Sequence, residues 1–434
     1  MKVDTVKALC EQIWEIESNL NLINKRISGV PIWPYIRMSV YYQLSIAYGI
    51  FQEPHHTGNK FGILDKIKKI FLTLYHSIVS NPFFLPGNAN LCYFEHERST
   101  VHEKGIVDIY TIQERINNVK AGYSVVSLEK PYSLSHLKSD GTNKRLMLDF
   151  ILICGKILSR FHYLFFSGYE KNEIRYLHEN LCNFTVHSID YYSLICASII
   201  KFKVQKFLYK KLLQLLNPQE LIVVVAYGNN DAILAANELG IKVTEFQHGI
   251  ISKYHLGYSY PNCSFVTGFP DKIRLWTENW NLDAAIPLSS NQIKYDLLSP
   301  FHDRLAKYKN IIKDDKKITV ISQGALSDKI VDFLFKNYDK FDGYQINYKL
   351  HPSEFFRWQK NNTLLDLAKH ENFNVVSNCD LYELLASSSA VIGVFSTAML
   401  EARELGATVY VIDLPGSEYL ASCDGFKDFN EFKR

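Results

Sequence analysis

The feature that most constrains this chain is a regular alternation of short apolar runs and helical stretches. It starts near residue 221, breaks once, and restarts at 318. Leu221–Ala226 reads as a strand, Tyr227–Asn230 as a turn, and Asp231–Leu239 as a helix that stops at Gly240. Ile241–Phe246 and Ser264–Thr267 read as further strands. The stretch 287–300 is rich in Ser, Asn and Pro; a helical segment, 301–312, and a charged turn, 313–317, follow. The second rhythm sets strands at Ile318–Ser322, Tyr344–Leu350, Phe373–Val376, Ala390–Gly393 and Val409–Asp413. Helices at Ser327–Tyr338, Leu364–His370, Leu381–Ser387 and Thr397–Leu405 lie between them. Parallel strands need a crossover, usually a helix, so this rhythm predicts parallel sheets.

The expected fold class is therefore α/β, with two Rossmann-like domains facing across a cleft and extra helices at the N-terminus. The first domain is expected over 1–290 and the second over 316–416, with a tail at 417–434. Before residue 85 the chain reads as helices, with Val6–Ile16 and Ile36–Tyr48 separated by the break at Pro31-Ile32-Trp33-Pro34. Asn90–Glu95 and Ser124–Leu128 read as strands, and 133–220 as largely helical.

With 434 residues, 47% of them hydrophobic, the chain has material for two cores. A net charge of +3 gives no clustered basic signature, so no nucleic-acid partner is expected. The eight cysteines form no C-x-x-C pair and read as free thiols in a reducing compartment. Met1–Asp4 opens no apolar secretory segment, and Phe150–Phe166 is interrupted by Lys156, Arg160 and His162, so a cytoplasmic location is expected. Residues 61–76 mix Lys66, Lys68 and Lys69 with Ile67, Ile70 and Phe71. That pattern suits either peripheral contact with an anionic membrane or a domain helix with a solvated basic face.

Polar groups collect where the predicted strands end, the edge at which open parallel sheets take ligands. In the first half these are Gln247, His248 and Gly249, with Lys253, His255 and Tyr258 close behind. A His at such an edge acts as a general base or is simply satisfied within its loop. Asp231 opens a helix, either as a first-turn carboxylate or as a nucleophile or base at the cleft floor. In the second half, Ser322 and Gln323 follow one strand, and Lys349, His351 and Pro352 end another. A Lys and a His two apart on a strand share a side, which suits either a phosphate or plain solvent. Ser396 and Thr397 open a helix, as an N-cap or as an anion site; Glu401, one turn on, is in position to accept from a ribose. G-x-x-x-x-G-K-[ST], G-x-G-x-x-G after a strand, H-E-x-x-H and G-x-S-x-G are all absent, and no D-x-D cluster demands a metal.

At these residues the chain resembles bacterial surface-polysaccharide glycosyltransferases of the GT-B type. Glu245–Gly249, followed by His255, Tyr258 and Pro261, is similar to the Gln-His-Gly region of capsule and O-antigen transferases. His351-Pro352 is similar to the His-Pro motif of bacterial sialyltransferases, β-Kdo transferases and polyol-phosphate transferases, and Gly393–Glu401 to their Ser/Thr motif. The resemblance covers roughly 220–416. It implies a CMP- or CDP-linked donor held through His351, Ser396 and Thr397, a glycan or lipid-linked acceptor against the first domain, and no cofactor or required metal. Asp231 matches the nucleophile of the β-Kdo transferases, and His248 the base of the polyol-phosphate transferases. The latter carry Trp where this chain has Gln247, and the acid motif of the sialyltransferases is missing. The leading expectation is sugar transfer from CMP-Kdo in capsule or lipopolysaccharide assembly. The alternatives are a CDP-glycerol or CDP-ribitol polyol-phosphate transferase and a non-catalytic glycan-binding protein of the same fold.

Overall fold

The computed structural model describes residues 3–53, 63–84, 87–96, 98–102, 105–131, 144–185, 189–276, 281–297, 299–420 and 423–432. Two parallel sheets organise the chain. The first contains β1 (Leu91–Phe94), β2 (Val125–Glu129), β3 (Lys144–Met147), β4 (Glu220–Val224), β5 (Lys242–Phe246), β6 (Lys272–Arg274) and β7 (Ile293–Lys294). Their spatial order is β7-β6-β5-β4-β1-β2-β3. The second contains β8 (Asp314–Ile321), β9 (Gln345–Lys349), β10 (Phe373–Val376), β11 (Ser388–Gly393), β12 (Thr408–Val411) and β13 (Phe426–Asp428), in the order β10-β9-β8-β11-β12-β13. Both sheets run outward from a first strand in two directions, the doubly wound order of a dinucleotide-binding sheet. The order reverses between β1 and β4 in one sheet and between β8 and β11 in the other. At such a switch point neighbouring crossovers lie on opposite faces of the sheet, and a crevice opens beyond the strand ends.

The two α/β domains expected from the alternation are present, but three local readings change. Ser264–Thr267 forms no strand; the pairing falls on β6, after a turn that begins at left-handed Asn262 and includes Gly268. The stretch expected to be helical from 133 contains β3, which pairs with β2 from Val126↔Lys144 to Glu129↔Met147. Residues 417–434, expected as a tail, supply β13, parallel to β12.

Helices layer both sheets and cover one edge. At the N-terminus, α1 (Val6–Asn19) and α2 (Ile32–Ala47) pack on each other; α3 (Ile63–Val79) lies along α4 (Asp149–Ser159), which packs on the long α5 (Tyr191–Leu216). Helix α6 (Asn230–Asn237) follows β4, and α7 (Thr397–Glu404) follows β11. Helix α2 begins at Ile32, with Pro34 inside its first turn, where a missing N–H costs no helical hydrogen bond.

Helices α1 and α2 touch both domains. Buried Arg37 of α2 pairs with Glu17 of α1 at 2.6 Å and 2.9 Å, donates to the Ser259 and Leu256 carbonyls, and lies 4.0 Å from the Tyr260 ring centroid. It thereby fixes the 251–260 loop. On the other side, the Tyr41 and Tyr419 hydroxyls meet at 2.5 Å, Gln52 donates to Asp328 at 2.7 Å, and Lys329 donates to the Gly49 and Ile50 carbonyls.

Candidate functional site

The wall built by the first sheet centres on His248, just past the end of β5. Its Nδ1 lies 3.1 Å from the Tyr258 hydroxyl, which donates to Glu245 Oε1 at 2.5 Å. Because that hydroxyl hydrogen is committed to Glu245, the Tyr258 oxygen accepts at His248 Nδ1. The hydrogen-bond direction thus assigns the imidazole proton to Nδ1 and leaves Nε2 as the basic nitrogen. Burial, then the neighbouring His255, His96 and Arg98, hold the His248 pKa well below the usual histidine value, so the ring is neutral. Glu245 is completely buried, and burial pushes its carboxyl up to about 7, although Tyr258 and the Ala226 N–H both donate to it.

Rings enclose this group. His96 stacks on His248 with centroids 5.8 Å apart, and Tyr110 and Tyr227 approach it edge-on or tilted at 6.3 Å and 6.2 Å. His96 reaches the site from the turn after β1, across the switch point. Asp108 holds that turn by accepting from the His96 N–H, the Tyr110 N–H and the Thr111 hydroxyl. Half-buried His255 packs on Tyr258 at 4.9 Å and Tyr227 at 5.6 Å, and burial lowers its pKa to about 4. Gly257 is required here, since a Cβ would overlap the Tyr227 ring.

Other residues singled out in this half have structural surroundings. Gln247 is fully buried; its amide donates to the Gly249 carbonyl and accepts from the Trp276 N–H, both at 2.8 Å. It clips the turn that carries His248. Gly249 has no positive φ, and a Cβ there would meet nothing within 4 Å, so close backbone approach is not its reason. Lys253 is exposed over the Tyr254 ring. Asp231, in the first turn of α6, is 3% exposed. It accepts from the Ala232 N–H and sits near the charge of Lys130, with the Tyr35 and Tyr209 hydroxyls close by. Burial raises its pKa despite Lys130.

The wall built by the second sheet brings three turns together. Gln323, after β8, accepts from the Phe395 N–H at 3.1 Å, joining the two strands of the switch point. Ser322 accepts from the Tyr348 hydroxyl at 2.9 Å. The His351-Pro352 turn packs against Gly324, where a Cβ would overlap Ser353 Oγ and lie 3.1 Å from His351 Nδ1. His351 is exposed, and Nδ1 is engaged by Ser353 Oγ at 2.8 Å. Partial desolvation, then the charges of Lys349 and Arg357, lower its pKa. Ser396 is the N-cap of α7 and accepts from the Ala398 N–H at 3.3 Å, with half-buried Thr397 beside it.

Two predicted donor residues lie elsewhere. Lys349 donates to the Leu350 and Ser377 carbonyls at 2.9 Å and 3.0 Å, so its ammonium ties β9 to the end of β10. Glu401 is 1% exposed, turned toward Tyr382 and attracted by Arg98 of the first domain. Burial raises its carboxyl pKa.

A cavity of about 440 Å³ joins the two walls. It is lined by Tyr42, Phe51, Ile250, His255, Phe395 and Thr397, among others, and its lining is mostly apolar. His255 belongs to the first wall and Thr397 to the second; His248, Asp231, His351 and Ser396 are not among the lining residues. Among the described residues, no group of three or more His, Cys, Asp or Glu is placed to hold a metal ion.

No family model and no curated protein matches this chain. Among solved structures it is similar to a UDP-GlcNAc 2-epimerase from Methanocaldococcus jannaschii, with 11% identity, 77% of this chain and 87% of that one covered, and a TM-score of 0.41. It is also similar to the UDP-GlcNAc 2-epimerase from Neisseria meningitidis bound to UDP-GlcNAc, with 15% identity, 78% and 86% coverage, and a TM-score of 0.42. The spinosyn rhamnosyltransferase SpnG complexed with thymidine diphosphate shows 11% identity, 78% and 86% coverage, and a TM-score of 0.42. At TM-scores this low, these likenesses support no conclusion about the chemistry of this chain.

Sequence reasoning missed the role of Glu245 and the approach of His96, Tyr110 and Tyr227. A carboxylate inside a strand of otherwise buried residues was the available signal for Glu245, because such a group needs a specific partner. Nothing local signals that the turn after β1 reaches the turn after β5.

Proposed function

We propose that this protein is a glycosyltransferase taking a sugar from a nucleotide-activated donor, with His248 as general base. The observation that carries this reading is the meeting of two unlike strand-edge walls on one cavity. One has a neutral His oriented through Tyr258 and Glu245, next to the cavity-lining His255; the other has the helix N-terminus capped by Ser396, with Thr397 lining the cavity. In this reading, Nε2 of His248 takes the proton of an acceptor hydroxyl as its oxygen attacks the anomeric carbon. The bond from that carbon to the donor phosphate breaks. The departing nucleotide carries the negative charge, met by the N–H groups of α7, the Thr397 hydroxyl and His351. The imidazolium that forms is balanced by the Glu245 carboxylate through Tyr258.

The resemblance at His351-Pro352 and Gly393–Glu401 makes a CMP-linked donor the first choice, with CMP-Kdo ahead of others, and a glycan or lipid-linked acceptor in capsule or lipopolysaccharide assembly. Asp231 is 3% exposed among buried groups, whereas His248 is half-buried and shares its Tyr258 and Tyr227 neighbours with the cavity-lining His255, which favours His248 for the chemistry. A histidine base equally serves a CDP-glycerol or CDP-ribitol transferase, and this is the second reading. The test is separate incubation with CMP-Kdo and CDP-glycerol plus candidate acceptors, following CMP release. Release from CMP-Kdo that is lost in His248→Ala is the expected result. Release from CDP-glycerol alone would move the protein to the second reading, and release from neither, with no nucleotide binding, would overturn both.

A further inference from the structure

Helix α3 is poorly buried for a helix in a folded domain. Among its described side chains only Ser77 is buried. Phe71 is 68% exposed, Ile78 67%, Ile70 59% and Tyr75 55%. In proteins a helix normally gains most of its stability by burying an apolar face. A second element, packed near α3 through α4, is exposed and apolar as well. The Phe83 and Phe150 rings meet at 6.0 Å, which joins the end of α3 to the start of α4. The two helices therefore run antiparallel, and the start of α3 lies toward the end of α4. The turn that follows α4 exposes Phe161, Tyr163, Leu164 and Phe165, with Leu164 67% exposed. Apolar exposure on this scale, on two neighbouring elements, is rare on a surface that faces only water.

The charge on this surface has one sign. Asp65 in its first turn is the one acid of α3, Ile67–Val79 contains no Asp or Glu, and neither does Lys156–Phe165. Lys68, Lys156 and Arg160 are exposed among the apolar residues. A second copy of the chain placed here would set cations against cations. An anionic bilayer satisfies both properties, since acyl chains take the apolar side chains, headgroups take the cations, and Tyr and Phe settle at the boundary.

We infer that the outer face of α3, together with the Phe161–Phe165 turn, docks this protein on an anionic lipid surface. Among the described residues no helix is long and apolar enough to cross a membrane, so the contact is made by side chains lying in the interface. The inference needs no assumption about the reaction, and its test uses no substrate.

The full-length protein is floated with vesicles of phosphatidylcholine alone and of phosphatidylcholine with phosphatidylglycerol. Binding is expected to the second kind and to weaken as salt is raised. The double variant Phe71→Ser/Leu164→Ser should lose at least about tenfold in partitioning, because two apolar side chains no longer gain by leaving water. Its melting temperature should stay that of the parent, because both positions are exposed. Lys68→Glu/Arg160→Glu should lose the preference for anionic vesicles. No binding of the parent to either vesicle overturns the inference. So does a concentration-dependent dimer in light scattering that Phe71→Ser/Leu164→Ser abolishes while vesicle binding is unchanged.

Discussion

The two walls of the cleft are built from the same strand order but in opposite materials. The wall of the first sheet is rings and titratable groups, half-buried His248 with fully buried Tyr258 and Glu245, enclosed by His96, Tyr110 and Tyr227. The wall of the second sheet is backbone turns and small hydroxyls, with His351 exposed and Ser396 capping a helix. Burial shifts pKa values by several units and fixes a tautomer, which suits proton transfer. Exposed N–H groups at a helix start bind an anion without needing shifted groups. The contrast separates chemistry from holding, and it breaks down if variants of the two walls do not sort accordingly.

The largest effect is expected on the first wall. His248→Ala should lower kcat by about 10²- to 10⁴-fold with nucleotide affinity unchanged, and Asp231→Asn should retain most of the turnover. Single-turnover rates beside a nucleotide-binding titration check this, and the reverse order of effects would return the chemistry to Asp231. Arg37→Ala comes next. It strands Glu17 in the interior and frees the 251–260 loop, so a loss of about 3–5 kcal/mol is expected in denaturant unfolding. On the second wall, His351→Ala should raise the apparent KM for donor by roughly 10- to 100-fold, with kcat changed much less, as expected for a lost hydrogen bond to a charged group. A fall in kcat alone would mean that His351 acts only on the charge that develops as the nucleotide departs and takes no part in holding the donor.

The smaller expectations concern pH. Glu245 balances the imidazolium only when ionised, so kcat should fall as pH drops through about 7. His248 does not set that limb, because its own value lies well below the usual one. In Glu245→Gln the limb should vanish and the rate should stay low across the range. His255 has its folded value lowered to about 4. Its contribution to stability is therefore fully present above the unfolded value of about 6.5 and lost as pH falls toward 4. The melting temperature should drop over that window, and His255→Gln should reduce the drop.

Much of the frame is legible in the sequence because strand and helix periods are local. The β4-α6-β5 unit and the whole of β8–β12 lie where the alternation puts them, within a few residues. The turns gathered on the second wall are legible for the same reason, since each directly follows its own strand. What escapes depends on distant pairing. Strand β13 lies in the stretch read as a tail, and only pairing with the edge of β12 makes it a strand. Strand alternation makes Lys349 a companion of His351, but the Ser377 carbonyl at the end of the neighbouring strand takes its ammonium. Glu245 is visible as a letter, yet its partner Tyr258 lies beyond a turn whose course is set by Arg37 and Glu17, more than two hundred residues earlier.

That last connection has a mechanical side. Helices α1 and α2 are fastened to the loop bearing Tyr258 by Arg37, and to the second domain at Tyr419, Asp328 and Lys329. Any widening of the cleft must either carry these helices with one half or break the bonds to the other. The first 52 residues thus bridge the two halves, and the Lys7 N–H to Glu418, the Gln52 N–H to the Ala325 carbonyl and the Phe51–Phe395 ring contact add to what such a widening would have to break.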